Sequence, residues 1–169
     1  TKAGSPFLFS GAFFWLAGAL VSYVAPAAEV SYVIYGGVLV PVGAIAVGKL
    51  VHIPLLTRNP YAVLAAIAPA MELAAIPIMI FLRHSNPEAL PGILMICEGV
   101  HYLIYMWLHM EYYFFILAYL KAFLGILFLF GVVFAGNYGW QLLISGLVSL
   151  VAAVLVARDS KRTLALYTK

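Results

Sequence analysis

Residues 112–134 read YYFFILAYLKAFLGILFLFGVVF, and Lys121 is the only charged residue among them. A helical run of this length crosses the hydrocarbon core of a bilayer, which takes about 20 residues. Comparable runs recur along the whole chain, which is 66% hydrophobic and 9% charged, whereas a soluble domain carries roughly 25% charged residues. The sequence therefore predicts an all-α integral membrane protein, a polytopic transmembrane helix bundle.

Turn signals divide the chain into about six helices. Asn59-Pro60 and Asn86-Pro87 indicate helix starts, because asparagine caps a helix and proline fits its first turn. One helix over 91–134 would be about 65 Å long, so a break is required, and His109 and Glu111 are the polar residues available to mark it. We expect the opening apolar run to be a retained helix rather than a cleaved signal. The predicted helices cover residues 6–24, 31–50, 61–83, 88–108, 112–134 and 140–157 of one domain, 1–169.

Lysine and arginine residues lie mostly at helix ends on the same side as the two termini. An even number of helices brings the termini to one side, and the opposite side has only Arg83. The cations on the shared side are Lys2, Lys49, Arg58, Arg158, Lys161, Arg162 and Lys169. Because cytoplasmic loops carry the excess of positive charge, we predict that both termini are cytoplasmic. Topology accounts for these cations, so no nucleic-acid partner is expected.

Four ionisable residues lie inside the predicted helices, where charge is costly: Glu72, Glu98, His101 and Lys121. A charged side chain at the bilayer centre costs roughly 2.5–3.5 kcal/mol even on insertion scales, so these groups should face the bundle interior. Counted from the predicted cytoplasmic end of each helix, Glu72, Glu98 and Lys121 all lie roughly 15–16 Å deep, near the midplane. We therefore predict that Lys121 pairs with Glu98, with Glu72 or with both.

One face of the fourth predicted helix extends this polar layer. Glu98 and His101 are three residues apart and share a face, which Tyr102 and Tyr105 continue. Such a stripe is what a polar cavity or a proton path needs. The Glu-x-x-His spacing also occurs in di-iron bundles, but those use it twice with further carboxylates. We therefore predict no metal, cofactor or catalytic residue here, and a structural ion pair remains the alternative for these residues.

Small residues at helical spacing predict close contacts between helices. They recur on the second, third and last predicted helices. The sets are Gly36, Gly37, Ala44 and Gly48; Ala66, Ala70 and Ala74; and Ser145, Ser149, Ala153 and Ala157. Cys97 is the only cysteine, so no disulfide can form within the chain.

Several short segments are recognisable as motifs. They are Gly4-Ser5-Pro6-Phe7-Leu8, Gly36-Gly37 with Pro41, Asn59-Pro60, Pro87-Glu88, and Gly99-Val100-His101 followed by Tyr105-Met106-Trp107-Leu108. With them the chain resembles, from Gly4 to about Gly131, a family of small bacterial membrane proteins of unknown function. Ile104 stands where the family's pattern has a proline, so the fourth helix is expected to be straighter here. The resemblance implies a bacterial, multi-pass inner-membrane protein with six helices, and it implies no activity.

Three functions fit these patterns. The first is a proton-coupled transporter or ligand-binding membrane protein, with a midplane site at Glu72, Glu98, His101 and Lys121. The second is a structural or accessory subunit of a larger membrane complex, whose partners would be other membrane subunits, a second copy of the chain, or lipids. The third, ranked lower, is an intramembrane enzyme acting on a lipid or isoprenoid, with Glu98 and His101 as an acid/base pair.

Overall fold

The helices of the protein follow its apolar runs. In a computed structural model, residues 4–53, 70–109, 112–134 and 136–167 are described, and all of their regular structure is helical. The helices are α1 (Ser5–Val24), α2 (Pro26–Tyr35), α3 (Leu39–Leu50), α4 (Ala70–Leu82), α5 (Leu90–His109), α6 (Tyr112–Leu129) and α7 (Tyr138–Tyr167). Since α2 and α3 join into one span, the described chain has six helical segments, which confirms the predicted fold class.

Five of these segments are long and apolar enough to cross a membrane. Within the described residues they are Ser5–Val24, Pro26–Leu50, Pro87–Met106, Tyr112–Leu129 and Tyr138–Arg158. The sixth is the shorter apolar helix Glu72–Leu82. It lies in the predicted helix 61–83, and the first part of that helix falls outside the described residues. Large apolar side chains such as Phe13, Tyr23 and Phe81 are exposed around the bundle, as lipid-facing side chains are.

The second span begins at Pro26, earlier than the predicted start at residue 31. Ala25 is the single non-helical residue after α1, and a residue before proline avoids the helical region. Pro26 then occupies the first turn of α2, where its missing N–H costs nothing. Further along, Gly36–Val38 tightens into a 3₁₀ turn. Pro41 explains this 3₁₀ turn, because its backbone nitrogen carries no hydrogen and cannot donate a helical hydrogen bond to the carbonyl of Gly37, four residues earlier.

Helix α6 ends at Leu129, whereas the predicted helix continued to residue 134. Gly131 adopts a φ of 64°, a left-handed conformation that glycine favours. The N–H groups of Gly131 and Val132 then bond to the carbonyls of Phe128 and Leu127, at 3.0 and 2.9 Å. This is a Schellman cap, so Gly131 acts as a helix stop.

The two closest helix pairs both rely on small residues. Ser145, Ser149 and Ala153 of α7 are fully buried, and α7 packs along α1, as the small-residue spacing predicted. Helices α5 and α6 approach still more closely at glycines. A Cβ added to Gly92 would lie 2.7 Å from the carbonyl oxygen of Gly125, so no larger side chain fits between these backbones.

The packing prediction for the third helix is wrong within this chain. Ala70 and Ala74 are exposed, and the remaining alanine of that set lies outside the described residues. The buried side chains are instead Ala75 and Met79. Ala75 and Met79 follow Glu72 by three and seven residues, so all three lie on one face of α4. Glu72 bonds to His101 of α5, and this face of α4 is therefore the internal one.

In the second span Gly36, Ala44 and Gly48 are buried as predicted, whereas Gly37 has open space beside it.

Candidate functional site

A cavity of about 400 Å³ lies between α1, the second span (α2 and α3 with the turn that joins them), α4 and α5. Its walls are mostly aliphatic and aromatic. Its polar lining residues, among the described part of the chain, are Glu72, Glu98, His101, Tyr102 and Tyr105. Five of the six residues predicted for the site therefore line one space, and Lys121 is the exception.

Glu98 is held by side chains from three helices. Its Oε2 accepts hydrogen bonds from Nε1 of Trp15 in α1 and from Nζ of Lys121 in α6, both at 2.9 Å. Its Oε1 accepts a hydrogen bond from the hydroxyl of Tyr102, one turn along α5. Because hydrogen bonds satisfy both carboxylate oxygens, Glu98 is fixed in place although it borders the cavity.

Lys121 lies behind Glu98 and is completely buried. Its ammonium group has three donors. One bonds to Glu98, a second bonds to the carbonyl oxygen of Ser145 in α7 at 3.1 Å, and the charge lies 4.7 Å from the centre of the Trp15 ring. This cation–π contact completes the surroundings of the cation. The Glu98–Lys121 pair therefore joins α1, α5, α6 and α7.

Glu72 and His101 form a second pair, between α4 and α5. Nδ1 of His101 lies 2.8 Å from Oε1 of Glu72. The Glu72 side chain is 25% exposed, against 8% for Glu98, so it is the more accessible of the two acids. Nε2 of His101 is buried and has no hydrogen-bond partner among the described residues. The ring is fixed edge-on against Tyr105, with centroids 4.6 Å apart.

The predicted single layer of charges is thus two pairs with different surroundings. Lys121 pairs with Glu98, as the depth argument predicted, and Glu72 pairs with His101 instead of Lys121. Glu98 and His101, the residues of the hypothetical acid/base pair, both line the cavity, and each is hydrogen-bonded to another residue. Tyr102 and Tyr105 lie beside them as the stripe on the fourth predicted helix indicated. Among the described residues, no three acidic, histidine or cysteine side chains cluster as metal ligands would.

Sequence reasoning missed Trp15 and Gly37 as site residues. Both line the cavity. The position of Trp15 was a usable signal, since an indole N–H in the middle of an apolar helix needs a buried acceptor. Gly37 had no such signal, because in sequence it is equivalent to the packing glycine beside it.

We expect replacement of Trp15 by phenylalanine to destabilise the protein by about 1–3 kcal/mol, because Glu98 loses a buried donor. Unfolding in mixed detergent micelles, followed by circular dichroism, measures this change in the free energy of unfolding. The matched control is Trp140→Phe, since Trp140 is half exposed and its change should cost less than about 0.5 kcal/mol. Equal losses in the two variants would contradict the assigned hydrogen bond.

The fold and the site define the class of this molecule: it is a multi-pass, all-α membrane protein with a mostly apolar cavity that two carboxylates border. The chain belongs to DUF7010, a family of unknown function, whose pattern it matches over residues 1–159. This confirms the resemblance to an uncharacterised family. No curated protein and no solved structure matches the chain.

Proposed function

We propose that this protein is a ligand-binding membrane protein that couples movement of a small, largely apolar molecule to a proton. The observation that carries the proposal is the cavity of about 400 Å³ with the Glu72–His101 pair in its wall. Ligand pockets of roughly this size are apolar with a few polar groups that fix orientation. An ionisable pair beside such a pocket in a membrane span is a functional site by default, because charge there is costly.

The proton would reside on the Glu72–His101 pair. With Glu72 ionised, Nδ1 of His101 carries the hydrogen of their hydrogen bond, and Nε2 is an acceptor. A second proton on Nε2 makes the imidazole a cation beside the carboxylate and leaves that hydrogen bond in place. The pair can therefore gain or lose a proton without separating α4 from α5.

Glu98 and Lys121 have a different role in this proposal. Lys121 is completely buried and does not line the cavity, and both oxygens of Glu98 already accept hydrogen bonds. We assign this pair to the fixed part of the bundle, which positions the cavity wall. The proton that moves belongs to the Glu72–His101 pair, whose acid is more exposed than Glu98.

We also place the protein in a bacterial inner membrane, with both termini cytoplasmic. The family resemblance supports the compartment. The excess of lysine and arginine on the side of the termini supports the orientation. Lipids are then its immediate surroundings, and a second copy of the chain or other membrane subunits are possible partners.

Flux in liposomes tests the coupling. Liposomes that contain the protein and an entrapped pH-sensitive dye receive, one at a time, a hydrophobic amine, alcohol and carboxylic acid, and protein-free liposomes give the background. We expect one solute class to drive proton movement above background in the wild type. Glu72→Gln should return the rate to background, because an amide neither takes up nor releases a proton.

The matched control is Glu88→Gln. Glu88 is exposed and far from the cavity lining, and an amide oxygen there can still accept the N–H of Gly136. This variant should retain the wild-type rate. Proton movement at background with every solute in the wild type, or a Glu72→Gln rate equal to that of the wild type, would contradict proton coupling at this pair.

The second candidate is an accessory subunit of a membrane complex, which the buried, hydrogen-bonded Glu98–Lys121 pair favours. In that case the aromatic and apolar surface would be an interface. Purification in mild detergent separates the two candidates. An isolated protein that stays folded and monodisperse without partners supports the first candidate, and one that aggregates unless other subunits are co-expressed supports the second.

A further inference from the structure

The charges around the cavity restrict what it can bind. Glu98 is balanced by Lys121, which lies 2.9 Å away. Among the described residues, the partner of Glu72 is the imidazole of His101, and a neutral imidazole supplies no charge. With His101 neutral, the described residues at the site therefore carry one uncompensated negative charge, in surroundings where an unpaired charge is costly.

Among the described residues, the lining has no permanently cationic side chain that would attract an anion. Among the described lining residues there is no lysine or arginine. Aromatic rings are present instead, and Phe7, Phe14 and Tyr105 lie along the wall. The faces of such rings attract cations, an effect that strengthens where water is excluded.

The cavity reaches an apolar rim between α3 and α4. Val38, Val42 and Leu73 line it and are 62%, 61% and 59% exposed. Val38 lies halfway along the span Pro26–Leu50, so this rim is at mid-membrane height. A hydrophobic molecule can therefore reach the cavity without passing through water.

We propose that the ligand class of this cavity is the hydrophobic cation, such as a protonated lipophilic amine, with its charge beside Glu72 and its apolar part against the aliphatic and aromatic wall. This inference rests on the proposed ligand-binding function and specifies its substrate class. A cation at Glu72 supplies the missing charge and does not require the Glu98–Lys121 pair to open.

A pair of ions with similar shape and opposite charge tests the proposal. Tetraphenylphosphonium is the cationic probe and tetraphenylborate the anionic one. Replacing Trp107 and Trp140 by phenylalanine leaves Trp15 as the only tryptophan, and it lines the cavity, so its fluorescence reports occupancy. Each ion is titrated into this double variant in detergent. Saturable quenching of the Trp15 fluorescence then gives the dissociation constant of the ion.

Two variants show where the probe binds. Glu72→Gln removes the negative charge, and Glu88→Gln is its surface control. Gly37→Leu fills the cavity: Gly37 lines it, and a Cβ there would meet nothing within 4 Å, so the larger side chain enters open space rather than the backbone. Thermal unfolding of each variant in the same detergent verifies that it is folded.

We expect saturable binding of the cation, weakened about tenfold or more by Glu72→Gln and by Gly37→Leu, and unchanged by Glu88→Gln. Equal affinity for the anion, or no effect of Glu72→Gln while Gly37→Leu still weakens binding, would overturn the cation inference and leave the cavity as a binding site. No saturable binding of either ion, or binding that Gly37→Leu leaves unchanged, would overturn the inference and also remove this support for the proposed function.

Discussion

Replacing Lys121 by methionine should lower the free energy of unfolding by about 3–5 kcal/mol, the loss typical of breaking a buried ion pair from one side. Methionine matches lysine in length but leaves the Glu98 carboxylate without its cation. The change also removes the hydrogen bond to Ser145 and the contact with the Trp15 ring. Unfolding in mixed micelles with increasing sodium dodecyl sulfate measures the loss.

The double variant Lys121→Met, Glu98→Gln isolates the ion pair. An amide oxygen at position 98 can still accept from Trp15, and the Tyr102 hydroxyl can turn to accept from the amide NH2. The double variant should therefore be more stable than Lys121→Met alone. The coupling energy from this cycle should be about 1–3 kcal/mol. Additive losses, with a coupling energy near zero, would show that the two residues do not act as a pair.

Replacing Gly99 by alanine should destabilise the protein by about 1–3 kcal/mol through overpacking. A Cβ there would lie 2.7 Å from the carbonyl oxygen of Ala118 and 2.9 Å from the amide nitrogen of Ala122. Both are backbone atoms, so α5 and α6 would have to move apart. The higher helix propensity of alanine, about 0.5–1 kcal/mol, offsets only part of this cost.

Gly37→Ala is the matched control for this change, because the new methyl group there would meet nothing within 4 Å. It should leave the free energy of unfolding within about 0.5 kcal/mol of the wild type. If Gly99→Ala were as stable as Gly37→Ala, the close approach of α5 and α6 would be wrong.

The six helical segments of the described residues could be predicted from sequence because the bilayer imposes a length on each apolar run. That length required a break between residues 91 and 134, the polar residues His109 and Glu111 indicated its position, and α5 ends at His109. Helix ends were harder, since they depend on local backbone bonding. Gly131 was read as part of a helix, although its left-handed conformation and two hydrogen bonds stop α6.

Residue counting predicted that Lys121 pairs with Glu98, with Glu72 or with both, but it did not predict which of them, nor the pairing of Glu72 with His101. Counting residues brought Glu72, Glu98 and Lys121 to one level, since rise per residue is nearly constant. Partner choice depends on helix rotation, which counting does not determine. The rotation of α4 turns Glu72 toward His101, and the crossing of α1 brings Trp15 to Glu98.

We propose that the two membrane carboxylates differ in role: Glu98 is a fixed structural partner, whereas Glu72 is accessible and shares an exchanging proton with His101. Dicyclohexylcarbodiimide, a hydrophobic reagent that adds to protonated carboxyl groups, distinguishes them. Mass spectrometry of the protein after timed exposure in detergent gives the extent of modification at each residue. We expect Glu72 to be modified about tenfold faster than Glu98 or more, since Glu98 is buried and both of its carboxylate oxygens accept hydrogen bonds. Modification of Glu98 at a rate equal to or above that of Glu72 would contradict this proposal.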